Sequence, residues 1–152
     1  MSVMVSNNGE RGASVIEFTL VLPILLMLLF GAIEFGFIFY NQAMLTNACR
    51  EGARAGIVLQ LDGTRLTDTE IEEIVVNYLT RDGKLILLNF DDSTDADLEV
   101  DVTPPDLPDL PAFPNDLKVE VTYPYKFLFV PSFMPLIPQS LPLSARVIMK
   151  YE

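Results

Sequence analysis

Two acidic residues sit where acids are costly. Glu17 stands directly before Phe18, where the apolar run FTLVLPILLMLLFGAI begins, and Glu34 stands directly after that run. Gly12 precedes Glu17 by five positions, with Ala13 next to it. A cut between Gly12 and Ala13 would leave an ammonium group on Ala13 and a carboxylate one helical turn further on. A lone carboxylate in apolar surroundings is strongly disfavoured unless it is paired. The free N-terminus of a neighbouring copy, staggered along the helix axis, supplies such a pair. A carboxylate there also suits the positive end of the helix dipole, and Gly12 offers a protease bare backbone. The plainer reading makes Gly12 a loop glycine and Glu17 an interfacial residue.

Other reactive groups are few. The chain has no His and no Trp, and its single cysteine, Cys49, excludes an internal disulfide. The usual catalytic and metal-binding histidines are therefore absent. No Gly-x-Ser-x-Gly and no phosphate-binding glycine loop is present, so no enzyme and no cofactor is expected. In DDSTDAD, Asp91, Asp92, Asp95 and Asp97 offer oxygens of the kind calcium takes. The glycine and distal glutamate of an EF-hand are missing there, so a solvated acidic turn is the expectation and no metal is assigned. Cys49 reads as a small helix residue, since a lone buried cysteine behaves as a small hydrophobe.

These residues are positioned by one long helix. From Phe18 to Ile33 no charge occurs, and FGFIFY (35–40) continues the apolar character. Residues 18–40 cover roughly 35 Å as a helix, enough for a bilayer core of ~30 Å. Phe35, Phe37, Phe39 and Tyr40 suit an aromatic belt at the far interface. Glu34 lies roughly 25 Å along the axis from Glu17. Two readings of it stand: a functional intramembrane carboxylate, or a side chain that snorkels to the far interface. A cleaved secretory signal is disfavoured, because Arg11 is offset by Glu10 and no small-x-small site closes the run. Pro23 predicts a kink near 19–22. Beyond the span, Ala48, Gly52 and Gly56 recur every four residues, with Cys49 and Ala53 alongside. Such a stripe of small residues admits close approach of another element, either this chain's own sheet or a second subunit.

The stretch from Gly12 to about Ile57 resembles the TadE-like minor pilins and pseudopilins of tight-adherence (Tad, Flp-type IV) pili. The residues that carry the resemblance are RGASVIEFTLVLPILLMLLFGAIEFG, with Pro23 in LVLP, followed by YNQAMLTNACREGARAGI. Cys49 stands where alanine is usual. The resemblance covers about a third of the chain. It implies a type IV prepilin signal in which residues 1–12 are the leader, Gly12–Ala13 is the prepilin-peptidase bond, and Glu17 serves processing and assembly. It also implies partners: the peptidase, other pilin or pseudopilin subunits, an inner-membrane assembly platform and membrane lipid. The implied location is the bacterial inner membrane, single-pass, with the C-terminal part outside the cytoplasm and open to incorporation in an adhesive pilus of this secretion-system kind. The length suits a minor rather than a major subunit. An alternative function is an uncleaved signal-anchored binding module.

After the helix (13–57), residues 58–152 read as a soluble α+β domain. Of the ten Lys and Arg only Arg11 precedes Asn41, and of the 21 Asp and Glu only Glu10, Glu17 and Glu34 do, so this part carries nearly all of the net charge of −11. An acidic surface argues against nucleic acid as a partner. LTDTEIEEIVVNYLTRDG predicts a second helix, capped by Thr67 or Asp68, ended by Gly83, with Ile71, Ile74, Val75, Tyr78 and Leu79 on one apolar face. KLILLNF (84–90), LEVDV (98–102), LKVEVTY (117–123) and ARVIMKY (145–151) predict strands. The expected fold is α+β and pilin-like: a long N-terminal transmembrane helix, a second helix, and an antiparallel sheet of three or four strands. The proline-rich 103–116 is expected as a loop. Prolines also exclude 123–142 from a strand interior, leaving Phe127, Phe129, Phe133 and Met134 either to wrap the core or to form a contact patch.

Overall fold

The computed structural model describes residues 8–58, 64–88, 98–103, 116–129 and 140–150. The acidic 91–97 turn, most of the 103–116 loop, Phe133 and Met134 lie outside the described residues. Helix α1 (Asn8–Ile57) is 50 residues long, about 75 Å at the standard rise. It is followed by α2 (Asp68–Leu79), the two-residue strands β1 (Thr80–Arg81) and β2 (Lys84–Leu85), and β3 (Glu99–Thr103), β4 (Asp116–Lys126) and β5 (Ser140–Lys150). The α+β expectation holds, with a three-stranded antiparallel sheet in the order β3-β4-β5.

Helix α2 starts at a reciprocal cap. The Thr67 hydroxyl accepts from the Glu70 N–H, and the Glu70 carboxylate accepts from the Thr67 N–H at 2.8 Å. Two otherwise orphaned donors are satisfied this way. The helix buries a narrow i, i+4, i+8 stripe of Ile71, Val75 and Leu79. Ile74 is only half-buried and Tyr78 is exposed, so the predicted face was too wide.

Gly83 does not end α2; Thr80 caps it. Asp82 (φ 54°) and Gly83 (φ 78°) are instead the two central residues of the β1–β2 hairpin. Two positive φ values in succession match the right-handed twist of a two-residue hairpin, which is why Asp-Gly is favoured there. Of the predicted 84–90 strand, only Lys84 and Leu85 are strand among the described residues; 89 and 90 lie outside them.

Strands β4 and β5 run further than expected and contain Pro124 and Pro142, which face each other in the ladder. In an antiparallel pair, alternate positions exchange no backbone hydrogen bonds, and only there can two prolines sit opposite. On its other side Pro124 has no ladder partner among the described residues, because β3 begins at Glu99, opposite Thr122. The rule against proline in a central strand therefore does not apply at this level of the sheet.

The period-two pattern sends Leu117, Val119, Val121, Tyr123 and Tyr125 to one buried face, paired across β5 with Met149, Val147, Ala145, Leu143 and Leu141. That face packs on α1 and α2 with Leu45, Ala48, Cys49 and Ala53 in the core. The other face is polar: Lys118 bonds Glu120 at 2.7 Å and Asp101 at 3.5 Å.

Candidate functional site

Along α1 the environment changes at Glu34. From Gly12 to Ile33 the residues are exposed, apart from the half-exposed Leu22 and Gly31. This stretch is roughly 33 Å long and includes Val15, Ile16, Phe18, Leu20, Ile24 and Leu25. From Glu34 onward one stripe of the helix faces the domain: Glu34, Asn41, Leu45, Ala48, Cys49, Gly52, Ala53 and Gly56 are all buried. The steps of three and four residues keep these positions on one helix face.

The small residues fit the domain closely. A methyl on Gly56 would meet Ile71 Cδ1 and Leu117 Cδ2, both at 2.6 Å, and one on Gly52 would run into Val75. The stripe therefore serves this chain's own α2 and β4. Pro23 takes no part in this packing; it lies in the exposed half of α1.

Four polar side chains of α1, Asn41, Gln42, Cys49 and Glu34, tie the helix to the domain. Asn41 is fully buried, and its amide both donates to the Leu88 carbonyl at 3.0 Å and accepts from the Leu88 N–H at 2.8 Å. Gln42 donates to the Ser144 carbonyl at 2.8 Å. The Cys49 thiol points at the Ala145 carbonyl at 3.2 Å, and burial pushes its pKa up to about 11, so at neutral pH it is an unreactive thiol.

Glu34 closes the stripe towards the exposed half. It is 6% exposed, so it does not snorkel. Its carboxylate accepts from the Tyr125 hydroxyl at 2.6 Å, the Leu128 N–H at 3.0 Å and the Phe129 N–H at 3.0 Å. Burial, and then the Glu34 carboxylate, raise the Tyr125 pKa well above that of a free tyrosine. One turn earlier, Phe30 stacks on Phe129 with centroids 4.8 Å apart. Phe37 is half-buried against the core, while Phe35, Phe39 and Tyr40 are exposed.

At the other end, Gly12 and Ala13 are exposed and lie inside α1, not in a loop; a methyl on Gly12 would meet nothing within 4 Å. Glu17 is exposed one turn further on. Among the described residues no group of acidic or cysteine side chains is placed to hold a metal ion.

Residues 12–54 match the family model described as TadE-like protein. The N-terminal helix is TadE-like. The matched segment runs from the glycine of the candidate cleavage bond to the last turn of α1, so the TadE-like helix includes both the exposed half and most of the domain-facing stripe. The match covers 43 of the 152 residues, all of them in α1. No curated protein and no solved structure matches the chain. The TadE-like helix is long and apolar enough to cross a membrane once, which is compatible with a single-pass membrane protein.

The sequence reading missed Asn41 and Gln42, and it left the role of Glu34 open. A signal was present. Glu34, Asn41, Leu45, Ala48, Gly52 and Gly56 follow one another at steps of three, four and seven, so polar residues on the small-residue face marked the contact with the domain.

Proposed function

We propose that this chain is a minor pilin or pseudopilin of a Tad-type pilus, held in the bacterial inner membrane by Gly12–Ile33 and matured by a prepilin peptidase at Gly12–Ala13. The observation that carries this reading is the division of α1 at Glu34. An apolar half of about membrane length is left free, and the other half is locked to a small α+β domain. Such a helix passes from lipid to a bundle of like helices without unfolding its domain. In the bundle, the Glu17 carboxylate pairs with the Ala13 ammonium of a neighbouring copy. Other pilin subunits and the inner-membrane assembly platform are the partners, and the domain faces the outside.

A second reading, an uncleaved anchored binding module, is favoured by one feature: the Gly12–Ala13 peptide lies within a helix, and a protease needs extended backbone. Intact mass of the protein from membranes with and without a prepilin peptidase separates the two. Loss of residues 1–12 that needs the peptidase and stops with Gly12→Val supports the pilin. An unchanged mass in both membranes leaves the anchored module.

A further inference from the structure

We propose that Leu128 and Phe129 form a lipid-inserted tip on the domain, with Glu34 as the internal acceptor that lets their backbone enter the bilayer interface. This rests on Gly12–Ile33 being the membrane span.

The depth follows from one contact. Phe129 stacks on Phe30, at 4.8 Å with the rings 13° from parallel. Phe30 belongs to the charge-free run and stands one turn before Glu34. Whatever level of the membrane Phe30 occupies, the ring of Phe129 shares it. Leu128 and Phe129 are each 37% exposed although both are large and apolar. Through the stack on Phe30, itself exposed, the patch joins the uncovered helix that the span reading gives to lipid. The occupant is therefore the same lipid. The domain is acidic overall, so apolar area rather than attraction to anionic headgroups drives the insertion.

Backbone outside a helix enters an apolar layer only if its polar groups are satisfied within the protein. Here the N–H groups of Leu128 and Phe129 each donate to Glu34 at 3.0 Å. The carboxylate, costly to bury alone, receives these two donors and the Tyr125 hydroxyl. An acid at the end of an apolar run is thus accounted for by the loop it serves.

The chain has no tryptophan, so one introduced indole reports its own surroundings. Full-length Phe129→Trp, Leu128→Trp, Leu25→Trp and Val76→Trp variants are reconstituted in phosphatidylcholine vesicles containing lipid brominated at a shallow or a deep acyl position. Val76 lies on the exposed face of α2 and is the aqueous control. The expected result is loss of Leu25→Trp fluorescence with deep bromines, loss of Phe129→Trp and Leu128→Trp fluorescence with shallow bromines, and none for Val76→Trp. Adding Glu34→Ala to Leu128→Trp is expected to abolish the shallow quenching. If Leu25→Trp is quenched while both tip variants behave like Val76→Trp, the tip is overturned and the span stands. If Leu25→Trp is not quenched either, the span reading fails and the tip with it. Blue-shifted but unquenched tip emission means that protein covers the patch, and it overturns the proposal. Shallow quenching that survives Glu34→Ala overturns the role given to Glu34.

Discussion

Glu34 and Tyr125 lie 91 residues apart in the chain and share a buried hydrogen bond of 2.6 Å. One residue comes from the long helix, the other from the end of the central strand. The bond therefore joins the two parts of the molecule at the level where the helix emerges from the domain.

Two inward-facing tyrosines of β4 should respond oppositely to the same change. Tyr125→Phe removes a donor to a charged acceptor and should destabilise the fold by about 1.5–3 kcal/mol. The Tyr123 hydroxyl is buried and has no hydrogen-bond partner among the described residues, so Tyr123→Phe should leave stability unchanged or raise it. Thermal unfolding of the full chain in detergent, followed by circular dichroism, compares the two. A loss at Tyr123 equal to that at Tyr125 would count against the hydrogen bonding described above.

Glycines on the buried and the exposed faces of α1 should differ in the same way. Gly56→Ala pushes a methyl against Ile71 and Leu117 and should cost about 1–3 kcal/mol by overpacking. Gly36→Ala meets nothing within 4 Å and should gain a few tenths to about 1 kcal/mol from helix propensity. The same unfolding measurement reads both, and equal effects would contradict the closeness of the packing at Gly56.

Asn41 is matched to the Leu88 backbone by both halves of its amide. Asn41→Asp keeps the acceptor and loses the donor, while Asn41→Leu loses both and leaves the half-buried Leu88 N–H and C=O without their partner. Each should be destabilising, on the order of 1–3 kcal/mol per group left unpaired, with Asn41→Leu the worse. Hydrogen exchange at the Leu88 amide checks the assignment, since protection should survive in Asn41→Asp and vanish in Asn41→Leu.

Stability should fall at high pH. Cys49 is raised from 9.0 to about 11 by burial, and Tyr125 is raised as well. A group with a raised folded pKa contributes stability that is complete below its unfolded pKa and is lost as pH rises towards the folded one. The Cys49 contribution therefore declines between about pH 9 and 11. Unfolding of Cys49→Ala should be less sensitive to pH across that window than the parent chain. An identical slope would mean that the thiol is not buried.

The start of α2 should weaken in acid. The Thr67 N–H, then its hydroxyl, lower the Glu70 pKa below 4.5. A depressed folded pKa contributes stability present above the unfolded value and lost as pH falls through the folded one. Thr67→Ala should cost about 1 kcal/mol at neutral pH and reduce the acid sensitivity of α2. Hydrogen exchange at the Glu70 amide, followed at neutral and acid pH, reads both effects.

The sequence alone determined whatever depends on neighbours along the chain. The charge-free run before Glu34, the cap at Thr67, the alternation of Leu117, Val119 and Val121, and the Gly12–Glu17 spacing are local patterns. Their physical causes are a rise per residue, a turn of helix and a two-residue pleat. Tertiary structure decided what depends on the approach of distant segments. The partner of the Gly52–Gly56 stripe, the facing prolines Pro124 and Pro142, the Leu88 backbone against Asn41 and the donors collected by Glu34 all join residues well separated in the chain. Glu34 shows why. A carboxylate at the end of an apolar run has a known cost, but its satisfaction comes from N–H and O–H groups more than ninety positions away. Only the folding of β4 back along the helix brings those donors to it.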